Sequence, residues 1–184
     1  MPRQAVSPAT EQRAVPAWRH EQEQERLQHA VEDYSEFGPG LNRDLRDGTL
    51  TPESQPERWT SDVAPLDRAM SRIPASMDTT RGVDWDWLPA GVDPRDLTVL
   101  TGRRMREPSF TSVSARDRPP LRFGERPILL RMHLPTGTRV LDLSRYGSSF
   151  VPERERLLPR GTSWRVHRVY RRRRQWVLEC EVEP

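Results

Sequence analysis

The chain has 184 residues and a mass of 21.4 kDa, which suffices for one globular domain with a hydrophobic core but not for two. Hydrophobic residues make up 34% of the sequence, and no apolar run approaches the roughly 18 residues of a membrane span. We therefore expect a soluble protein without membrane partners, and the single cysteine, Cys180, excludes an internal disulfide.

The basic residues are all arginine, since the 30 residues counted as Lys and Arg include no lysine. Arginine stays protonated at physiological pH, so this positive charge is permanent. The 27 acidic residues leave a net charge of only +3, although the calculated pI is about 9.7. The N-terminus lacks the apolar segment of a secretory signal. We expect a protein that is cytoplasmic, or that is secreted or delivered into a target cell by a route not encoded in the sequence.

The first elements along the chain are a leader and a helix. Residues 1–19 contain scattered prolines and no periodicity, which predicts a flexible leader or linker before a single domain at 20–184. From about residue 20, apolar side chains recur at helical spacing and end at Tyr34. The Phe37–Gly40 segment, with two glycines and a proline, predicts the end of this helix.

Two more helices and then strands are predicted downstream. A short helix should carry Leu41 and Leu45, and another, capped by Ser61 or Asp62, should end before Pro74 and bury a helical stripe. After Pro74 the spacing favours short strands. Helices followed by many strands indicate an α+β domain, with N-terminal helices packed on a core of two antiparallel or mixed β-sheets. The stripe is Val63, Leu66, Met70 and Ile73, and the strands lie near 77–83, 96–101, 109–114, 127–134, 138–143, 154–159, 163–170 and 175–182.

A pair of glutamates at the start of one predicted strand could provide two acids for chemistry. Glu153 and Glu155 are two positions apart in FVPERERLLPRG, residues 150–161. Alternate residues of a strand share a face, so both carboxylates can point into one cleft. An isolated Glu-x-Glu is usually a solvated strand edge, so this pair needs support from other segments.

Two further segments carry groups suited to an anionic ligand. SFTSVS, residues 109–114, places the hydroxyls of Ser112 and Ser114 on one face of a strand. DTTRGV, residues 78–83, places Arg81 beside Gly82, where backbone or ligand can approach closely. A guanidinium donates two parallel hydrogen bonds, which suits a pyrophosphate.

Taken in this order, the segments resemble the bacterial toxin-like mono-ADP-ribosyltransferases of the Arg-Ser-Glu class, which include the enzymatic components of clostridial binary toxins. The resemblance covers about residues 25–170, and FVPERERLLPRG is its most specific part. Val113 departs from the family's Ser-Thr-Ser motif, and the segment with Trp85 and Trp87 has no counterpart. The other similar segments are the helix ending in Tyr34, LNRDLR at 41–46, LDRAMSRIP at 66–74 and PILLRMHLPTGTRVLDLS at 127–144.

The resemblance implies NAD+ as a substrate and assigns catalytic roles. Glu155 would stabilise the positive charge that develops on the ribose when nicotinamide leaves, and Ser112 would hold Glu155 in place. Arg81 would grip the cofactor phosphates. Glu153 would orient an acceptor arginine and take its proton, since the resemblance links a glutamate there with arginine acceptors and a glutamine with other acceptors. The implied cofactor-binding residues are Asn42, Arg81, Gly82, Ser112 and Arg126.

The partner implied by the resemblance is a target protein that carries the acceptor arginine, and an immunity or inhibitor protein is a possible second partner. The loop before the glutamates, with Tyr146, Phe150 and Glu153, is the candidate for target recognition, although Phe150 could equally fill the core. The four histidines are far apart in sequence, so we expect no metal site.

Two alternative functions stay open from the sequence. The same fold could act as an NAD glycohydrolase or could modify a nucleic acid, since the middle hydroxyl of the serine motif is lost and arginines fill 171–174. A purely nucleic-acid-binding basic module is the remote alternative, because acidic residues nearly balance the charge.

Overall fold

The computed structural model describes residues 17–116, 125–147 and 154–183. Helix α1 spans Ala17–Arg46 and contains Pro39. The predicted break at Phe37–Gly40 is therefore wrong, and the predicted helix with Leu41 and Leu45 is the end of α1. Proline removes one helical hydrogen bond, but the buried stripe of Tyr34, Gly38, Leu41 and Leu45 continues through it at helical spacing. Burial of this stripe against the sheet outweighs the local helix-breaking residues.

A second helical stretch follows in three parts: α2 (Pro56–Arg58), a π-helical turn (Trp59–Val63) and α3 (Ala64–Ala69). The predicted cap at Ser61 or Asp62 is wrong, because both residues lie inside the π-helical turn. The helix instead begins at Pro56, whose fixed φ and missing N–H suit a first helical position. The predicted buried residues are correct, since Val63, Leu66, Met70 and Ile73 are all buried.

Within the described residues, nine strands are hydrogen-bonded in the order β1-β6-β7-β4-β2-β5-β9-β8-β3. The β5–β9 pair is parallel and the other pairs are antiparallel. The α+β fold class, with helices on a mixed β core, is confirmed. The strands are β1 (Ser71–Arg72), β2 (Met77–Val83), β3 (Arg104–Arg106), β4 (Thr111–Ser114), β5 (Ile128–Leu134), β6 (Arg139–Asp142), β7 (Glu155–Leu158), β8 (Ser163–Arg172) and β9 (Gln175–Glu183).

The predicted strand at 96–101 is wrong, because this segment forms a 3-10 turn over Thr98–Leu100. Leu97 and Leu100 are both fully buried, and their spacing of three residues fits one helical turn rather than a strand. The Asp96 carboxylate accepts a hydrogen bond from Thr98 N at 3.0 Å and so starts the turn. The short strands β1 and β3 were not predicted.

Two hydrophobic clusters form the core. One includes Leu130, Trp164 and Leu178 and extends to Val113 of β4 and Leu158 of β7. The other includes Tyr34, Phe110 and Leu157 and lies between the helices and the β6-β7-β4 part of the sheet. This part joins the rest of the sheet where β2 pairs with β4 through Thr80 and Ser114. The segments that carried the sequence motifs converge at this junction.

Two buried threonines near the junction differ in hydrogen bonding. Thr79 and Thr111 are each 1% exposed. Thr79 Oγ1 donates to the Met132 carbonyl at 3.1 Å, whereas Thr111 Oγ1 has no hydrogen-bond partner anywhere in the part of the chain that the structure describes. A buried hydroxyl without a partner loses its water and gains nothing in exchange.

We expect Thr111→Val to raise the free energy of unfolding by about 1 kcal/mol, because valine keeps the shape and removes the unsatisfied hydroxyl. Thr79→Val is the matched control and should lower it by about 1 kcal/mol, since the Met132 carbonyl would lose its donor. Urea unfolding of both variants measures these changes. An equal loss of stability in the two variants would contradict the assignment.

Candidate active site

Ser112 and Glu155 meet on one face of the β4–β7 pair. Ser114 lies opposite Glu155 and Ser112 opposite Leu157, so alternation places the serines and the glutamate on the same side. Ser112 Oγ donates a short hydrogen bond to Glu155 Oε1. Both side chains are half-buried, so the carboxylate is held in one position and still borders the solvent.

Arg81 reaches this pair from the neighbouring strand β2. Its Nη1 donates to the Ser112 carbonyl at 3.2 Å. Burial lowers the pKa of Arg81, and the negative charges of Glu107 and Glu155 oppose that shift. A guanidinium stays protonated at neutral pH even in such a place, so Arg81 brings a permanent positive charge to the junction.

Helix α1 supplies Tyr34 and Asn42 to the same cluster. Asn42 Nδ2 donates to the Tyr34 hydroxyl at 3.0 Å, and the Asn42 amide oxygen accepts from Phe110 N at 3.2 Å. The Ser112 side chain also interacts with the Tyr34 hydroxyl, and this contact lowers the pKa of the phenol. Ser112 gives its single proton to Glu155. Asn42, Tyr34, Ser112 and Glu155 therefore lie next to one another in one polar cluster.

Three further polar residues border the cluster on the side of Asn42. Arg46 Nε donates to the Asn42 carbonyl at 3.2 Å and lies 3.5 Å from Glu107 Oε1. Ser109 donates to the same Glu107 oxygen from its backbone N at 3.1 Å and from its hydroxyl at 2.7 Å. Arg46 thus lies beside a hydrogen-bonded carboxylate, whose negative charge also acts on Arg81.

This arrangement suits a ligand that carries both phosphates and a sugar that becomes cationic. The guanidinium groups can bind phosphate oxygens, and the fixed Glu155 carboxylate can stabilise a developing positive charge. The described residues contain no group of three His, Cys, Asp or Glu side chains that could hold a metal ion. No helix in the described ranges is long and apolar enough to cross a membrane.

The family model of the ADP-ribosyltransferase exoenzymes matches residues 16–181. The chain belongs to this family of ADP-ribosyltransferases. The predicted family is confirmed, and the catalytic activity common to it is the transfer of ADP-ribose from NAD+.

Solved structures of bacterial proteins share the fold of this ADP-ribosyltransferase. A C3 ADP-ribosyltransferase from Clostridium botulinum is 19% identical, with a TM-score of 0.73, over 85% of this chain and 86% of its own. A C3 protein from S. aureus, solved with NAD, is 23% identical, with a TM-score of 0.70, over 86% and 87% of the two chains. The toxin BECa of C. perfringens, solved with NADH, is 18% identical, with a TM-score of 0.70, over 86% of this chain and 43% of its own. A search of curated proteins found no match.

Not every residue predicted for the ADP-ribosyltransferase site contacts the cluster. Gly82 lies in β2 opposite Leu129, next to Arg81. Arg126 forms an ion pair with Asp84 after the end of β2. Tyr146 is half-buried against the helix-side hydrophobic cluster, and its carbonyl accepts from Gln28 Nε2 at 2.9 Å. Glu153 and Phe150 lie outside the described residues, so their roles stay predictions.

The arginines at 171–174 lie at the tip of the β8–β9 hairpin, where all four side chains are exposed. Three strands, β5, β9 and β8, follow β2 in the sheet order on that side, so the tip lies away from the β4–β7 pair. Arg173 has a φ of 56°, a conformation that turns normally give to glycine or asparagine. No described contact joins these arginines to the site of the ADP-ribosyltransferase.

The sequence analysis missed Tyr34, Arg46 and Glu107 as site residues. Tyr34 and Arg46 were named there only within segments that resemble the family. Because the helix was predicted to end at Phe37–Gly40, the sequence analysis did not place Tyr34 and Asn42 on one helix. A charged residue such as Glu107 has no local signature in a chain in which 31% of residues are charged. Its position beside Ser109, close before β4, is the only sequence signal that it gives.

The neutral state of Tyr34 can be tested by titration. Burial raises the pKa of Tyr34 above its ordinary value, and its contacts with Ser112 and Asn42 oppose this only in part. The folded state holds the phenolic proton more tightly than the unfolded state, so the free energy of unfolding should fall as the pH rises above about 10.

The ionisation of Tyr34 is obtained by subtracting the tyrosinate absorbance of Tyr34→Phe from that of wild type at each pH. We expect Tyr34 to ionise well above pH 10 in the folded protein and near pH 10 in urea, as for model tyrosine. If Tyr34 ionised in the folded protein at the same pH as in urea or at a lower pH, the phenol would not be buried as described.

Proposed function

We propose that this chain is a mono-ADP-ribosyltransferase that moves ADP-ribose from NAD+ to an arginine side chain of a target protein and releases nicotinamide. The observation that supports it most is the convergence of Arg81, Ser112 and Glu155. Hydrogen bonds join Ser112 to residues that are 31 and 43 positions away in sequence. Family membership supplies the reaction class, and this cluster supplies groups that suit each of its steps.

Cleavage of NAD+ breaks the bond between the nicotinamide nitrogen and the ribose carbon, and the electron pair leaves with nicotinamide. Positive charge then develops on the ribose, where a fixed carboxylate lowers the energy of the transition state. Glu155 is our candidate, because the Ser112 hydroxyl holds its carboxylate by a short hydrogen bond. A carboxylate oriented before the reaction avoids reorganisation during it.

The cofactor phosphates need cationic donors on the other side of the cleft. Arg81 and Arg46 are the candidates, since each uses one nitrogen for a protein carbonyl and keeps further N–H groups for a ligand. Asn42 fixes the end of α1 against Phe110 and so places Arg46, one helical turn later. Gly82 and Arg126 stay weaker candidates for cofactor contact.

The acceptor step joins an arginine nitrogen to the ribose carbon, and the guanidinium loses one proton. Free guanidinium is a poor nucleophile because its pKa exceeds roughly 12, so a carboxylate must orient it and accept the proton. Glu153, two positions before Glu155, is the candidate for this role by sequence. We also propose that Tyr146 and Phe150, in the preceding loop, contact the target protein and that the chain acts as a delivered toxin.

The departure at Val113 fits this proposal. Val113 is 2% exposed and belongs to the hydrophobic cluster on the opposite face of β4 from Ser112. The hydroxyl that the family's motif has at this position would therefore point into the core. The contact between Ser112 and Glu155 lies on the other face of the strand and does not involve it.

A nucleic acid acceptor is the second candidate, supported by the exposed arginines of the β8–β9 hairpin. Water as acceptor, which would make the protein an NAD glycohydrolase, needs no acceptor site at all. The same assay separates the three possibilities, because label from NAD+ would appear on protein, on nucleic acid or only in free ADP-ribose.

Glu155→Gln should reduce both nicotinamide release and protein labelling by about a hundredfold or more, because it removes the charge that stabilises the cationic sugar. Glu153→Gln should reduce protein labelling by about a hundredfold and change nicotinamide release by less than about threefold, because it affects only the acceptor. Labelled NAD+, a mixed cell lysate and separate recovery of protein and nucleic acid measure these effects.

Chemical lability of the labelled bond identifies the acceptor, and free arginine should compete for the label. Glu57→Gln, which changes an exposed carboxylate in α2, is the control and should behave as wild type. Equal loss of both activities in Glu153→Gln would disprove the division of roles. Labelling that disappears after nuclease treatment would replace the protein acceptor with a nucleic acid.

A further inference from the structure

A third carboxylate, that of Glu107, lies at the cleft without a part in the proposed transfer chemistry. Glu107 is 6% exposed, so its charge is largely removed from water. Burial of a carboxylate is costly unless hydrogen bonds and an opposite charge compensate it. Glu107 has both, from Ser109 and from Arg46.

The backbone around Glu107 fixes the position of this carboxylate. Glu107 N donates to the Thr162 carbonyl at 3.0 Å, and its own carbonyl accepts from Gly161 N at 2.8 Å. Ser109, 1% exposed, then binds Oε1 with both its backbone N and its hydroxyl. The side chain is thus held from two directions before any ligand arrives.

Arg46 is anchored to this carboxylate by one edge only. Its Nε contacts Glu107 Oε1 at 3.5 Å and the Asn42 carbonyl at 3.2 Å. Neither terminal nitrogen of Arg46 donates a hydrogen bond to another of the described residues. Because the guanidinium is planar and rigid, fixing Nε also fixes the direction of the two terminal nitrogens.

Glu107 also supplies a counter-charge to the arginines near it. Burial lowers the pKa of Arg81, the charge of Arg46 adds to this shift, and the charge of Glu107 opposes it. Among the described residues Arg46 forms its ion pair with Glu107, so loss of this carboxylate would leave the partly exposed Arg46 without its counter-charge.

We propose that Glu107 is a positioning residue, which anchors Arg46 by its Nε edge and so directs the two terminal nitrogens of Arg46 toward a pyrophosphate. This inference rests on the proposed function, since it takes the pyrophosphate of NAD+ as the ligand. Glu107 does not touch the reacting atoms. Its effect is on the binding of NAD+ and not on the cleavage step.

Binding of ADP-ribose tests the proposal independently of catalysis, because this probe carries the pyrophosphate and lacks the bond that is cleaved. We expect Glu107→Gln to weaken ADP-ribose binding about tenfold in isothermal titration, as for the loss of one well-placed charged contact. The KM for NAD+ should rise by a similar factor of about ten while kcat changes less than about threefold, since uniform binding is lost.

A double-mutant cycle tests whether Glu107 acts through Arg46. Arg46→Met keeps the length of the side chain and removes its charge. In this background, Glu107→Gln should change the Kd of ADP-ribose by less than about threefold, because the group that it positions is already gone. A full tenfold effect in both backgrounds would overturn the proposal.

Glu183→Gln is the control, because Glu183 likewise forms ion pairs with arginines, Arg104 and Arg165, but lies at the far edge of the sheet. It should leave the Kd of ADP-ribose unchanged. Thermal unfolding of each variant checks the fold. If Glu107→Gln does not fold, Ser109→Ala takes its place. It removes a hydrogen bond to the Glu107 carboxylate without changing any charge, and it should weaken ADP-ribose binding about threefold.

The remaining outcomes separate the two proposals. Unchanged or tighter ADP-ribose binding by Glu107→Gln overturns the positioning role and leaves the proposed function intact. If wild-type protein binds ADP-ribose but releases no nicotinamide from NAD+, the proposed function is contradicted. The Kd of ADP-ribose for Glu107→Gln still tests the positioning role in that case. Wild-type protein that binds no ADP-ribose overturns both.

Discussion

The narrow junction between β2 and β4 is the constraint on which the site depends. Within the described ranges, Thr80 and Ser114 form its one residue pair, whereas β2 and β5 pair along all of Met77–Val83. Strands joined at one point diverge on either side of it, which leaves backbone groups without a ladder partner. The Ser112 carbonyl is such a group, and it accepts from the Arg81 side chain instead. A hydrogen bond from a side chain of β2 thereby joins the two strands beside their single ladder pair.

The electrostatics of the cleft follow from this geometry. Arg81 and Arg46 bring two positive charges, and Glu107 and Glu155 bring two negative charges, in a place where burial reduces solvent screening. Tyr34 stays neutral because burial raises the pKa of its hydroxyl, whose oxygen accepts from the Asn42 amide. Each carboxylate has its own hydrogen-bond donor, since Glu155 accepts from Ser112 and Glu107 accepts from Ser109. A charged ligand would meet donors that are already oriented.

The sequence predicted the strands better than the helices, for a physical reason. In β9 the buried residues Trp176, Leu178, Cys180 and Val182 alternate with Val177, Glu179 and Glu181, and this period of two belongs to the strand itself. The motif residues Arg81, Ser112 and Glu155 were predicted from similarity, and the structure brings them together. The segment at 96–101 was misinterpreted because two leucines three apart fit either a short strand or one helical turn. Glu107 could not be predicted, since its significance lies in contacts with Arg46 and Ser109 that no local pattern records.

The error at Phe37–Gly40 concerns the site itself. Glycine and proline are the strongest local signals for the end of a helix, and here α1 continues through them. Because it does, Tyr34 and Asn42 lie on one rigid element, two turns apart, and the Asn42 amide reaches the Tyr34 hydroxyl. A Cβ atom at Gly38 would lie 3.4 Å from the Tyr34 ring, so the ring packs directly on the helix at the position of this glycine. The residue that weakens the helix therefore lies under the same tyrosine whose hydroxyl accepts from Asn42, and the continuous helix holds both ends of that contact.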